Sequence, residues 1–150
     1  MKERFKVIPC VYLILQRDDQ ILLLKRANTG YMDGMYGLPS GHLEGNEPAI
    51  AAAVREAEEE TGLTLDRDDL ELVHTLHRQS VPDTSGSHER IDLFFAVHKW
   101  SGEPQNMEPD KCSELQWYPA NALPENMIPE VAMVLQKIAA GARYSDFNFG

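Results

Sequence analysis

Between Gly41 and Leu63 the chain carries six glutamates and one arginine, a local net charge of −5 within a total of −10. Carboxylates at that density repel one another, so a fold that gathers them must leave them in water or supply a cation. The spacing inside the stretch selects a helix over Pro48–Thr61. On a wheel turning about 100° per residue, Ile50, Ala53, Val54, Ala57 and Thr61 gather about 60–160° from Glu56, an apolar stripe fit for burial. Glu56, Glu59 and Glu60 share the neighbouring face at i, i+3 and i+4 spacing, while Glu58 points away into solvent. Arg55 lies one turn from Glu59, close enough to pair with it. Gly62 stands where a helix end favours a left-handed residue.

A solvated acidic helix is the ordinary meaning of such a charge run. Two features argue for more. Solvated helices interleave lysine with glutamate, whereas here one arginine serves the whole group. The helix also follows a loop containing Gly30, Gly34, Gly37, Gly41 and Gly45, which allows backbone atoms to approach a ligand closely. Clustered carboxylates with backbone carbonyl oxygen form a hard-cation site suited to Mg²⁺, with Mn²⁺ as a substitute.

The segment GHLEGNEPAIAAAVREAEEETGL resembles the Nudix box, G-x5-E-x7-R-E-U-x-E-E-x-G-U, where U is a bulky apolar residue. Gly41, Glu47, Arg55, Glu56, Glu59, Glu60, Gly62 and Leu63 match, and Ala57 is a small but tolerable U. The order of elements over nearly the whole chain resembles the MutT branch of the Nudix hydrolases.

That resemblance implies a divalent-metal-dependent hydrolase acting on a nucleoside diphosphate linked to another group. A (deoxy)nucleoside triphosphate yielding monophosphate and pyrophosphate is the first reading. ADP-ribose, a nucleotide sugar or a non-catalytic binding module are the alternatives. It implies Glu56 as the base, with Glu59 second. Arg55 and Glu47 would fix geometry. Metal would be held by Glu56, Glu59, Glu60, Glu108 and the Ser40 carbonyl. Arg26, after Lys25, would touch phosphate, and Asn126 would read a purine base unless it only caps a turn. Ser40 departs from the glycine common at its position, which keeps the carbonyl but questions any glycine-only backbone conformation.

The remaining sequence sets the frame. Apolar residues make up 43% of 150, enough for one compact domain spanning residues 1–150 and too many for disorder. Strands are predicted at Val7–Leu15, Ile21–Lys25, Leu70–Arg78, Arg90–Trp100 and Glu114–Tyr118, with a short strand within Gly30–Gly45 and a second helix at Glu130–Ala140. Val81–His88 reads as a polar loop and residues 142–150 as a loose tail. The tight strand connections exclude a purely parallel sheet, and the expected architecture is an α/β/α Nudix-type sandwich around a mixed sheet. The acidic balance argues against a nucleic-acid polymer as partner. Nine apolar residues after Lys6, with no small-residue cleavage site, argue against a membrane span or a signal peptide. Cys10 and Cys112 lack metal spacing and read as buried reduced thiols, consistent with the cytoplasm. The expected partner is a small-molecule nucleotide, and a homodimer is left open. His74 and His77 are three apart on a strand and cannot chelate one ion. No partner is readable for Ser80, Ser85 or Ser87 as nucleophiles. Tyr36, Phe94 and Trp117 read as core or pocket wall, and Ile128, Val131, Val134, Leu135 and Ile138 as the packing face of the last helix.

Overall fold

The computed structural model describes residues 3–80 and 88–149. Among the described residues, eight strands and two helices follow the order β1 (Ile8–Arg17), β2 (Gln20–Arg26), β3 (Tyr36–Gly37), β4 (Ser40–His42), α1 (Ala49–Thr61), β5 (Leu70–Gln79), β6 (Glu89–Val97), β7 (Cys112–Pro119), α2 (Pro129–Ala139) and β8 (Tyr144–Phe147). The predicted polar loop Val81–His88, with Ser85 and Ser87, lies outside the described residues except for His88. No helix among the described residues is long and apolar enough to cross a membrane.

The long strand β1 joins the two halves of the sheet. At one end it turns through Asp18, at φ 55°, into a short antiparallel pairing with β2. Along Ile8–Leu15 it pairs in parallel with β6, and across its other edge it pairs antiparallel with β4. β2 carries β3 and β7, while β6 carries β5. The sheet is therefore mixed, as the short connections require.

Period-two alternation along β1 then sorts the core into two layers. Val11, Leu13 and Leu15 pack with Ala53, Ala57 and Phe95 on the α1 side. Ile14, with Leu76 and Phe94, packs under Val131 and Val134 of α2 on the other. Leu135 and Ile138 complete the α2 packing face as partly buried members of the same cluster. Phe94 and Tyr36 are buried, and Trp117 stacks on Trp100 with Arg17 over its ring, which makes all three wall or core residues. Cys10 and Cys112 are free and buried, and burial beside Asp92 pushes the Cys10 thiol up to about 12.

Most predicted element ends hold to within two residues; the one short strand expected within Gly30–Gly45 is two, β3 and β4, and two larger departures stand beside it. β6 stops at Val97 rather than Trp100, because its ladder partner ends at Leu70 and the chain before Leu70 turns into a 3₁₀ segment, Arg67–Asp69. The carboxy-terminal segment is not a loose tail over Tyr144–Phe147; it forms β8, parallel to β5 at Thr75–Arg78. The polar ends of that strand hide what holds it. His74, 1% exposed, meets the Ser145 hydroxyl through Nε2 at 2.8 Å and the Ala142 carbonyl through Nδ1 at 3.0 Å. Replacing the hydroxyl should strand a buried ring nitrogen. Ser145→Ala is expected to cost about 1–3 kcal/mol, read as a lower thermal midpoint. An unchanged midpoint would show that β8 contributes nothing to stability.

Candidate active site

Helix α1 starts after Pro48 and ends at Gly62, whose φ of 75° lets its N–H reach the Glu58 carbonyl. Its buried face is shifted from the predicted stripe. Ala52, Ala53, Ala57 and Thr61 are buried with Glu56 among them, whereas Ile50 and Val54 are only partly buried. Glu56 is 9% exposed and so lies inside the packed face rather than beside it.

Gly41 explains how a carboxylate fits there. It has no positive φ, but a Cβ on it would overlap the Glu56 carboxylate. The glycine is needed for space rather than for backbone freedom. Ser40, whose substitution for glycine raised a conformational question, is absent from the positive-φ residues and sits in β4 opposite Tyr12. Serine is therefore no obstacle to this backbone.

Arg55 ties the acidic segment together. Its guanidinium meets Glu47 at 2.8 Å, Glu56 at 2.8 Å, Glu44 at 3.3 Å and Glu59 at 3.4 Å, and it donates to the His42 carbonyl at 3.1 Å. Glu47 also accepts the Glu44 N–H, so the loop before α1 is clamped onto the helix. Hydrogen bonds from Arg55 hold the Glu47 carboxyl below its ordinary range.

Glu60 is turned the other way, onto the Ser40 N–H at 2.8 Å. Burial raises its carboxyl well above the ordinary range; the neighbouring charges of Glu56 and Glu108 raise it further, with the Ser40 N–H and Arg26 in opposition. Burial also raises Glu56, against the pull of Arg55. Glu108 reaches this group because the segment before it caps the end of α1. The N–H groups of Gln105 and Met107 bond to the Thr61 and Glu60 carbonyls.

The site thus holds more negative charge than Arg55 and Arg26 offset. Its donors are all oxygen, the chemistry of a hard divalent cation. Among the described residues no three His, Cys, Asp or Glu side chains converge on one point as they stand. Glu59 leans on Arg55 and Glu60 on the Ser40 amide, so gathering them on one ion requires these side chains to turn.

Beside the glutamates lies a small cleft of about 40 Å³, lined by Tyr12, Arg26, Tyr31, Ser40, Ile128 and Glu130, among others. Arg26 donates to the Tyr31 carbonyl at 2.7 Å and stacks near the Tyr31 ring, so it stands between the glutamates and the cleft. Lys25 points over the Tyr36 ring instead. Asn126 is exposed; its amide donates to the Gly34 carbonyl at 2.8 Å, and its own carbonyl accepts the Tyr36 N–H. Sequence reasoning missed Tyr12, Tyr31 and Glu130. The signal for Glu130 was present: it lies four residues before Val134, on the packing face, where a carboxylate has no ordinary place.

The NUDIX domain family matches residues 6–138. An ADP-ribose pyrophosphatase of Methanocaldococcus jannaschii is 32% identical over 126 residues, covering 83% of this chain and 70% of that protein. The crystal structure of a MutT NUDIX hydrolase from Burkholderia pseudomallei superposes with a TM-score of 0.75 at 28% identity, covering 88% of this chain and 98% of that one. The NUDIX domain of Shewanella oneidensis NrtR, solved with ADP ribose, shares the fold at a TM-score of 0.70 and 17% identity, over 91% of this chain and 89% of that one. With its box glutamates gathered around Arg55 on α1 and the family matched over most of its length, the chain belongs to the Nudix hydrolases.

Proposed function

We propose that the chain is a Mg²⁺-dependent nucleotide pyrophosphohydrolase whose substrate is a (deoxy)nucleoside triphosphate, cleaved with water to the monophosphate and pyrophosphate. The observation that carries this reading is the pair of carboxyls, buried Glu56 and half-buried Glu60, set against Gly41 and Ser40 of β4 with too little positive charge to offset them. Such a pair costs stability unless a bound cation uses it.

Glu56, Glu59, Glu60, Glu108 and the Ser40 carbonyl would hold the metal. When bound, the divalent ion neutralises the diphosphate and lowers the pKa of water. The protein residues then have distinct tasks. Glu56, fixed by Arg55 and by the space above Gly41, is placed to orient the water and take its proton. Arg55 and Glu47 hold the loop and helix at one separation. Arg26, between the glutamates and the cleft, is placed to meet the phosphate chain.

A second reading, hydrolysis of ADP-ribose, is supported by the Methanocaldococcus jannaschii relative. A panel of nucleoside triphosphates, ADP-ribose and nucleotide sugars with Mg²⁺ decides between them by product. Monophosphate with pyrophosphate from a triphosphate supports the first reading. AMP with ribose phosphate as the best reaction supports the second. No turnover of any member would contradict both.

Glu56→Gln keeps size and removes charge and base. It is expected to lower kcat by at least ~100-fold with the fold retained. Activity within a few-fold of wild type would place the base elsewhere.

Metal should also stabilise the fold. Glu56 and Glu60 titrate above the ordinary carboxylate value of 4.5, so the folded chain keeps protons that the unfolded chain has released. Without metal, stability therefore falls as pH rises from that value through the raised pKa values. Millimolar Mg²⁺ is expected to raise the thermal midpoint at neutral pH and to do so less near about pH 5, where protons compete for the same oxygens. Each kcal/mol of binding moves the midpoint by roughly 2–4 °C for a chain of this size. Glu59→Gln combined with Glu60→Gln should abolish the shift; an undiminished shift would move the metal off α1.

A further inference from the structure

The buried polar group on the α2 side of the sheet has no task in phosphate chemistry. Arg78 and Asp92 form an ion pair at 2.5 Å beneath Tyr12, and the Asp92 Oδ1 has no partner among the described residues. Arg78 also lies 3.8 Å from Glu130 and donates to the Tyr12 hydroxyl at 3.5 Å. The Tyr31 hydroxyl donates to Glu130 Oε1 at 2.9 Å. Glu130 is thus fixed from two sides, 6% exposed, and lines the cleft.

The two groups left to a ligand are complementary. Glu130 Oε2 accepts no hydrogen bond among the described residues. The Tyr12 oxygen accepts from Arg78, which leaves its own proton to donate. Burial raises the Tyr12 phenol well above its ordinary range, so that proton stays in place at neutral pH.

We propose that Glu130, with the Tyr12 hydroxyl beside it, is the specificity-determining pair of the cleft and selects a base edge that offers N–H donors next to a carbonyl acceptor. This rests on the nucleotide reading above and names the group that reads the base. A carboxylate only accepts. It therefore suits adjacent ring N–H and amino donors, as on guanine, whose carbonyl oxygen would take the Tyr12 proton. Adenine turns a ring-nitrogen lone pair toward the same carboxylate, leaving like polarity face to face and its own acceptor unpaired. Arg26 lines the same cleft and is the cation it offers to the phosphates. Asn126 is not among the residues that line this cleft, and its amide is engaged by Gly34.

The test is calorimetric binding of GMP, 1-methyl-GMP and AMP to the full chain with Mg²⁺, alongside hydrolysis of GTP and ATP. Wild type should bind GMP at least ~10-fold more tightly than either 1-methyl-GMP, which lacks the ring N–H, or AMP, a loss typical of a missing polar contact. Glu130→Gln should bring GMP and AMP within about threefold and raise KM for GTP more than it lowers kcat. Equal wild-type affinity for GMP and 1-methyl-GMP would overturn the assignment without any variant. So would a folded Glu130→Gln protein with the GMP preference intact. If the preference holds but no triphosphate is hydrolysed, the proposed reaction fails and the base site stands. If triphosphates are hydrolysed with no preference among bases, the reverse is true.

Discussion

The single guanidinium of Arg55 is what allows the acidic segment to exist as a compact site. It touches four glutamates and a backbone carbonyl, and those contacts fix the loop before α1 against the helix. Four carboxylates around one cation leave a surplus of negative charge, and Glu60, turned away onto the Ser40 amide, adds to it. Glu56 is the buried member of the group, so its charge is the expensive one, whereas Glu44 and Glu59 are exposed and screened by water. Packing forces contribute to the arrangement as well: Glu56 occupies the volume that any side chain at Gly41 would fill. On the proposed reading, a divalent cation offsets that surplus.

From this constraint the division of labour across the sheet follows. β1 runs through the middle, with α1 and the glutamates associated with one layer and α2 with the other. Ser40 and Tyr12, paired across β4 and β1, both line the cleft, so the cleft begins where the glutamate site ends. Arg26 stands at that junction. The phosphates and the base of one nucleotide would therefore meet two carboxylate environments of different character, one short of positive charge and one fixed by Arg78 and Tyr31.

Much of this was legible in the sequence because the box fixes residues on a helical period. The helix, its left-handed end at Gly62 and the grouping of Glu56 with Glu60 could be read from spacing alone. Glu108 could not; it came from resemblance, and its closeness to Glu60 depends on the capping of α1 by Gln105 and Met107. The burial of Glu56 was hidden because a helical wheel shows direction and not the depth that Gly41 provides. β8 was missed because its stability comes from His74, seventy-one positions earlier than Ser145, and from ladder bonds to β5 rather than from apolar alternation. The charged network of Arg78, Asp92 and Glu130 was likewise spread over three elements; Glu130 alone betrays itself by its place on the α2 packing face, whereas Arg78 and Asp92 read singly as strand charges.

The central claim is that the Glu56–Glu60 face holds a divalent cation. Electron paramagnetic resonance during titration with Mn²⁺, which reports free ion directly, tests it without substrate or turnover. A carboxylate-held cation requires saturable binding to the wild-type chain that is displaced by Mg²⁺ and greatly weakened in Glu56→Gln and Glu60→Gln. Saturable binding of equal strength in both variants, or none to the wild type in the absence or presence of nucleotide, would contradict it.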